Sequence, residues 1–179
     1  NVYATTVGAN SFSNGAFTTT TGTYNVISSS YTGGRFSTPT QNFGATVNGA
    51  FNSIESTSGG STAGVATAIT GVANRVANSN GVLVYGAGNE ITNSSTSFST
   101  PGESATSAKD FADKLKTAVT SSNGAGATMA FGGGNKADYT LRTSMIGVNN
   151  TVTGVRGNQS KDNLAIGVGN TGTKVQHMT

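Results

Sequence analysis

Seven carboxylates (Glu55, Glu90, Glu103, Asp110, Asp113, Asp138 and Asp162) and one imidazole, His177, are the groups through which this chain could run acid–base chemistry. Such catalysis needs two of them held close together with their pKa values pushed apart. Only Asp110 and Asp113 are near neighbours in sequence. They lie among Lys109, Lys114 and Lys116, a pattern that reads as the solvated face of a helix. His177 belongs to a closing His-Met-Thr that reads as an appendage and is set aside. There is no Cys, which removes disulfides, thiolate metal sites and cysteine nucleophiles. Gly167-Val168-Gly169-Asn170-Thr171-Gly172 fits Gly-x-Gly-x-x-Gly, but no helix signal follows it, so no dinucleotide site is expected. Gly132-Gly133-Gly134-Asn135-Lys136-Ala137-Asp138 fails the Gly-Gly-x-Gly-x-Asp spacing of a calcium turn. The expectation is a chain without catalytic residues, metal or cofactor.

The elements that position these groups follow from composition and repetition. The 179 residues include 26 Gly, 29 Thr, 21 Ser and 19 Asn, together more than half of the chain. Only 9% are charged, and the net charge is +3. Helix formers are too sparse for a bundle. No apolar run approaches the ~18 residues of a membrane span. The ten Lys and Arg are scattered rather than clustered, so no nucleic-acid partner is expected.

One pattern recurs, Gly-x-x-Asn-x-(Val/Ile). It is seen at Gly22-Asn25-Ile27, Gly49-Asn52-Ile54, Gly71-Asn74-Val76, Gly86-Asn89-Ile91 and Gly147-Asn150-Val152, with degenerate copies at Gly132-Asn135-Ala137 and Gly167-Asn170-Gly172. With 26 Gly and 19 Asn, Gly-x-x-Asn alone should arise about three times by chance, and it is present seven times. The Asn residues are 15 apart twice (74 to 89 and 135 to 150), and otherwise 27, 22, 46 and 20 apart. A 15-residue unit is too short for two helices and suits two short strands with two turns. The expected fold is therefore all-β, a parallel β-solenoid. Alternating triplets such as Leu83-Val84-Tyr85, Met129-Ala130-Phe131 and Leu164-Ala165-Ile166 supply the first strand. Gly turns the backbone without a Cβ, Asn tolerates left-handed backbone and can bond its own turn, and the Val or Ile two residues later points inward. Each coil buries only two or three apolar side chains, so burial of an outer face between chains is expected.

The segments Leu83-Val84-Tyr85-Gly86-Ala87-Gly88-Asn89, Met129-Ala130-Phe131-Gly132-Gly133-Gly134-Asn135 and Leu164-Ala165-Ile166-Gly167-Val168-Gly169-Asn170 resemble the head repeats of the trimeric autotransporter adhesins. The resemblance covers about residues 65–93 and 128–172. It implies a YadA-like left-handed parallel β-roll, a homotrimer, and a place on the bacterial cell surface. There the head would be tied to the outer membrane only through a C-terminal anchor outside this chain. It also implies cell adhesion and virulence through a host cell-surface or matrix protein. A weaker resemblance, to the CEACAM-binding adhesins of fusobacteria, adds CEACAM to the receptors to consider. No stalk heptads or neck motif are present. The readings from other classes are an inert spacer of a surface fibre and a monomeric β-solenoid enzyme acting on polysaccharide.

On this view residues 1–179 are one β-roll head domain, with an insertion over 94–127 and an irregular loop-rich segment over 28–44. Inside the insertion, Ala108, Phe111, Ala112, Leu115 and Val119 share one helical face, and Ser107 is a good N-cap. This predicts a helix over about 105–121. Either Phe111 and Leu115 pack it onto the roll, or it presents Lys109, Asp113 and Lys116 to a partner. In the loop-rich segment Tyr31, Arg35 and Phe36 are of the types enriched at binding hot spots, and Phe36 and Phe43 could instead face inward.

Overall fold

The computed structural model describes residues 3–30, 40–58, 60–97, 106–123 and 126–179. Two parallel sheets face each other. In the first, β1 (Thr5–Val7), β3 (Thr19–Thr23), β5 (Thr46–Ala50), β7 (Ala68–Val72), β9 (Leu83–Ala87), β11 (Met129–Gly133), β13 (Thr140–Val148) and β15 (Ser160–Val168) stack in that order. The second holds β2 (Phe12–Ser13), β4 (Val26–Ser29), β6 (Ser53–Ser56), β8 (Arg75–Ala77), β10 (Glu90–Thr92), β12 (Lys136–Asp138), β14 (Thr151–Thr153) and β16 (Thr171–Thr173). Each coil gives one strand to each sheet, and every pairing within the sheets is parallel and in register. The expected all-β, parallel, solenoid-like architecture is what the chain adopts.

The register places the repeat glycines directly over one another, from Gly22 through Gly49, Gly71, Gly86, Gly132 and Gly147 to Gly167. A Cβ at Gly49 would lie 1.9 Å from the Gly71 carbonyl oxygen, and the backbone there has φ +127°. Both the close approach and the dihedral demand glycine. The repeat Asn has a different role from the one expected. Its own backbone is not left-handed; the residue before it is, at Tyr24, Phe51, Ala73, Gly88, Gly134, Asn149 and Gly169. What the Asn supplies is a buried amide between coils. Asn74 Nδ2 donates to the Gly86 carbonyl (2.7 Å) and to Asn52 Oδ1 (3.0 Å). Asn74 Oδ1 in turn accepts from the backbone N–H and Nδ2 of Asn89, both at 3.0 Å.

This pairing also reveals a coil that a search for Asn cannot find. Ser11 stands in the Asn position beside Gly8, donates to the Gly22 carbonyl (3.1 Å) and accepts from the Asn25 N–H (3.2 Å). The roll therefore begins at β1, in the part of the chain where the repeat is blurred in sequence.

Inward positions of the second sheet are Ile27, Ile54, Val76, Ile91, Ala137 and Val152, all fully buried as the repeat predicts. Those of the first are Thr20, Val47, Ile69, Val84, Ala130, Met145 and Ala165. At the far end the inward position is Gly172, where a Cβ would meet Met178 Sδ at 2.8 Å and Val175 Cγ2 at 2.9 Å. The closing residues are thus no appendage. Leu164 N–H bonds the Met178 carbonyl (2.8 Å), and Met178 and Val175 pack against the core.

The helix α1 (Ala108–Ser121) forms where expected. Ser107 caps it by accepting from the Asp110 N–H at 3.2 Å. The long excursion from β10 to β11 leaves the register undisturbed because buried Asn80 holds both of its ends. Its Oδ1 accepts from the Thr96 N–H (3.1 Å) and the Gly126 N–H (2.8 Å), and its Nδ2 donates to the Thr96 carbonyl (2.7 Å).

Replacing Asn74 with Ala removes the partners of the Asn89 N–H and the Gly86 carbonyl inside the stack. At ~1–3 kcal/mol for each buried group left unpaired, Asn74→Ala should lower stability by about 2–6 kcal/mol. Asn170→Ala, at the exposed last coil, should cost under about 1 kcal/mol; urea midpoints of the two variants check the contrast. The Thr20 hydroxyl is buried without a hydrogen-bond partner among the described residues. Thr20→Val keeps the shape and removes the unsatisfied group, so its urea midpoint should rise, by about 1 kcal/mol in stability.

Candidate functional site

Strand alternation turns the middle residue of each triplet inward and its two neighbours outward. In the second half of the first sheet the inward residue is smaller than its outward neighbours in the coils of Val84, Ala130 and Ala165, and Met145 is the large exception. Val84, Ala130, Met145 and Ala165 are buried. Tyr85, Phe131, Ile146 and Ile166 form one outward ladder, with Leu83, Met129 and Leu164 on one flank and Val148 and Val168 on the other. Ile166 is 61% exposed and Val168 77%, and the Tyr85 and Phe131 rings stack at 6.1 Å. The same ladder in the first half reads Thr21, Asn48 and Thr70, with Thr21 bonded to Asn48. The continuous apolar ladder is therefore formed by β9, β11, β13 and β15; exposed Val72 on β7 extends the Val148 and Val168 flank, and exposed Tyr24 and Phe51 stack at 5.6 Å on the turn that follows the first sheet.

The outer face of the second sheet is different. Arg75 bridges Glu55 and Glu90 at 2.8 Å each, and Lys136 reaches Glu90 at 3.4 Å. These four charges stand on successive coils in alternating sign, which suits a solvated face. The hydrogen bonds from the Arg75 guanidinium hold the Glu55 carboxyl below its usual range, against the opposing effect of partial burial. Among the remaining described acids, Asp162 is paired with Arg142 (2.5 Å), Asp110 with Lys114 (3.0 Å), and Asp113 with Lys109. Asp138 accepts from Thr92 (2.7 Å) and Asn93 (2.8 Å). Each carboxylate is held by a donor, and no group of three His, Cys, Asp or Glu able to hold a metal ion is present among the described residues. No described helix is long and apolar enough to cross a membrane.

The helix lies over a second, aromatic core. Phe111 meets Phe17 at 4.9 Å and Phe43 at 6.3 Å between ring centres, and Leu115 joins the same cluster with Val65. Phe43 is buried, as its inward reading supposes. Lys109, Asp113 and Lys116 are all on the exposed side, with Lys109 paired to Asp113. Tyr31, Arg35 and Phe36 lie outside the described residues. The repeat glycines and asparagines serve the inter-coil contacts rather than a binding surface. Sequence reasoning missed the outward apolar stripe as a surface. Its signal was present, since Leu83, Tyr85, Met129, Phe131, Leu164 and Ile166 recur at alternate positions, but periodicity does not say which face is inside.

No protein-family model, no curated protein and no solved structure matches this chain.

Glu55 yields a pH prediction. Its folded pKa is depressed, so its contribution to stability is complete above the unfolded carboxyl value near ~4.3 and is lost as pH falls through the folded value. Thermal midpoints should drop on acidification below about pH 4. The Glu55→Gln variant should start from a lower midpoint at neutral pH and lose less on acidification. An acid limb of unchanged depth in that variant would exclude Glu55 as a contributor.

Proposed function

We propose that this chain is the head of a homotrimeric bacterial surface adhesin, coiled in the left-handed sense. It would be displayed outside the outer membrane and attach non-covalently to a host-cell protein such as a CEACAM receptor or a matrix component. The observation that carries this reading is the apolar stripe on β9 to β15, whose ladder Tyr85, Phe131, Ile146 and Ile166 is continuous over four strands on the outside of the roll. Contiguous exposed apolar surface of this kind marks an interface. A second and third copy of the same chain are the occupants that fit. The stripe lies along the roll axis, so three rolls side by side would cover their stripes together, and the charged row on the second sheet of each roll would face outward. The repeat motif's likeness to adhesin heads supports the same arrangement. Three copies would then raise weak single contacts into firm attachment through avidity.

Light scattering over a concentration series tests assembly. The wild type should show a mass near three times 17.8 kDa. A double variant Tyr85→Lys, Ile166→Lys should fall to one chain with an unchanged strand spectrum, because both side chains point away from the core. A wild type that stays monomeric at high concentration would overturn the trimer. Particles coated with the chain then separate an adhesin from a spacer. An adhesin holds host cells and loses that hold in the monomeric variant; a spacer holds none.

A further inference from the structure

A polar groove of about 310 Å³ runs along the seam that follows the second sheet, and Asn93, Ser95, Tyr139, Arg156 and Gln159 line it together with Ser58 and Asn78. We propose that it is a binding site for a carboxylate-bearing saccharide.

The coil geometry builds the groove. Asn78, Asn93 and Tyr139 occupy the same seam position on successive coils, each with left-handed backbone (φ 51°, 51° and 50°). Each donates its N–H to the coil before, to the carbonyls of Glu55, Ala77 and Thr92 at 2.8, 2.9 and 3.1 Å. Their side chains therefore form one row. Asn tolerates that backbone, but Tyr does not do so freely. In the next coil the seam position is Gly154, whose Cβ would lie 2.4 Å from the Tyr139 carbonyl oxygen. The chain then rises into a tight hairpin, Val155 and Asn158 exchanging hydrogen bonds at 3.1 and 2.9 Å, with Arg156 and Gly157 at its tip. This hairpin is one wall.

The chemistry of the lining defines the ligand. The Tyr139 hydroxyl, the Arg156 guanidinium, the Gln159 amide and the Ser95 hydroxyl make no hydrogen bond or ion pair with any described residue. Four such groups around one depression offer the mixed donors and acceptors that match a ring of hydroxyls, and the Tyr139 ring offers a flat apolar face for ring C–H groups. Arg156 is the one charged side chain among the lining residues. A guanidinium pairs with a carboxylate through two parallel hydrogen bonds, so the favoured sugar is an acidic one. Asp138, the carboxylate bonded to Asn93, has one oxygen held by Asn93 and Thr92. The volume is at the lower end of the ~300–1,000 Å³ range of ligand sites, which suits one or two sugar rings. The site depends on the adhesin reading only for its biological use. It lies on the seam and not on the apolar stripe, so either can fail alone.

Titration calorimetry of the whole chain with 3′-sialyllactose, a hyaluronan tetrasaccharide and lactose tests the proposal. At least one acidic oligosaccharide should bind about tenfold tighter than lactose, and Arg156→Gln should abolish that margin. Tyr139→Gly should weaken acidic and neutral sugars alike while the thermal midpoint holds or rises, because glycine relieves the positive φ. That combination separates a lost contact from a damaged fold. The proposal is overturned if neither acidic sugar binds at about 10 mM, if lactose binds equally well, or if Arg156→Gln keeps the wild-type affinity.

Discussion

Everything in this fold depends on how closely one coil can lie on the next at the glycine position. A Cβ at any of the stacked repeat glycines from Gly22 to Gly147 would sit 2.0 Å or less from the carbonyl oxygen of the repeat glycine in the next coil. That approach brings the carbonyl within reach of the Asn three residues along, whose amide then bonds both that carbonyl and the preceding Asn. Glycine and asparagine are thus one device. The glycine clears the space, and the amide fills the hydrogen-bonding need of a turn sealed from water. An unpaired buried amide or carbonyl is costly, which makes the ladder directional and resistant to slipping by a residue.

With register secured by polar groups, the core can be small. Its inward residues are mostly Val, Ile and Ala, and Thr20 can sit among them. Apart from Met145, the larger apolar side chains of the first sheet's second half point outward, in the ladder Tyr85, Phe131, Ile146 and Ile166. The second sheet carries charges in alternating sign instead. The two outer faces therefore differ in kind, one suited to burial against other chains and the other to water.

Departures from the plain coil occur where the register is protected. Asn80 clamps both ends of the helical excursion with a single side chain, and a Cβ at Gly126 would lie 2.0 Å from the Ser94 carbonyl oxygen. The excursion leaves and returns at one point. Its helix then covers Phe17 and Phe43, a satellite core that the coils alone would leave open. The hairpin after Gly154 is a smaller excursion of the same kind, and it walls the polar groove.

The spacing of Gly, Asn and Val or Ile by itself determined the parallel solenoid and the inward row from Ile27 to Val152, and the spacing of Ala108, Phe111, Ala112, Leu115 and Val119 determined the helix with its Ser107 cap. These follow from local rules: a clash that only Gly avoids, a period of two in strands, and a period near 3.6 in the helix. It did not reveal the first coil, because Ser11 does the work of Asn with a different side chain. It did not disclose the role of the closing residues, because Met178 gains its place only by folding under Gly172. Which member of each apolar triplet faces in was decided by the tertiary structure alone. Alternation assigns two faces to a strand, but only the opposing sheet makes one of them the inside. The polar groove is likewise a tertiary product. Asn93, Tyr139 and Gln159 are remote or unremarkable in sequence, and the stacking of coils brings them to one seam.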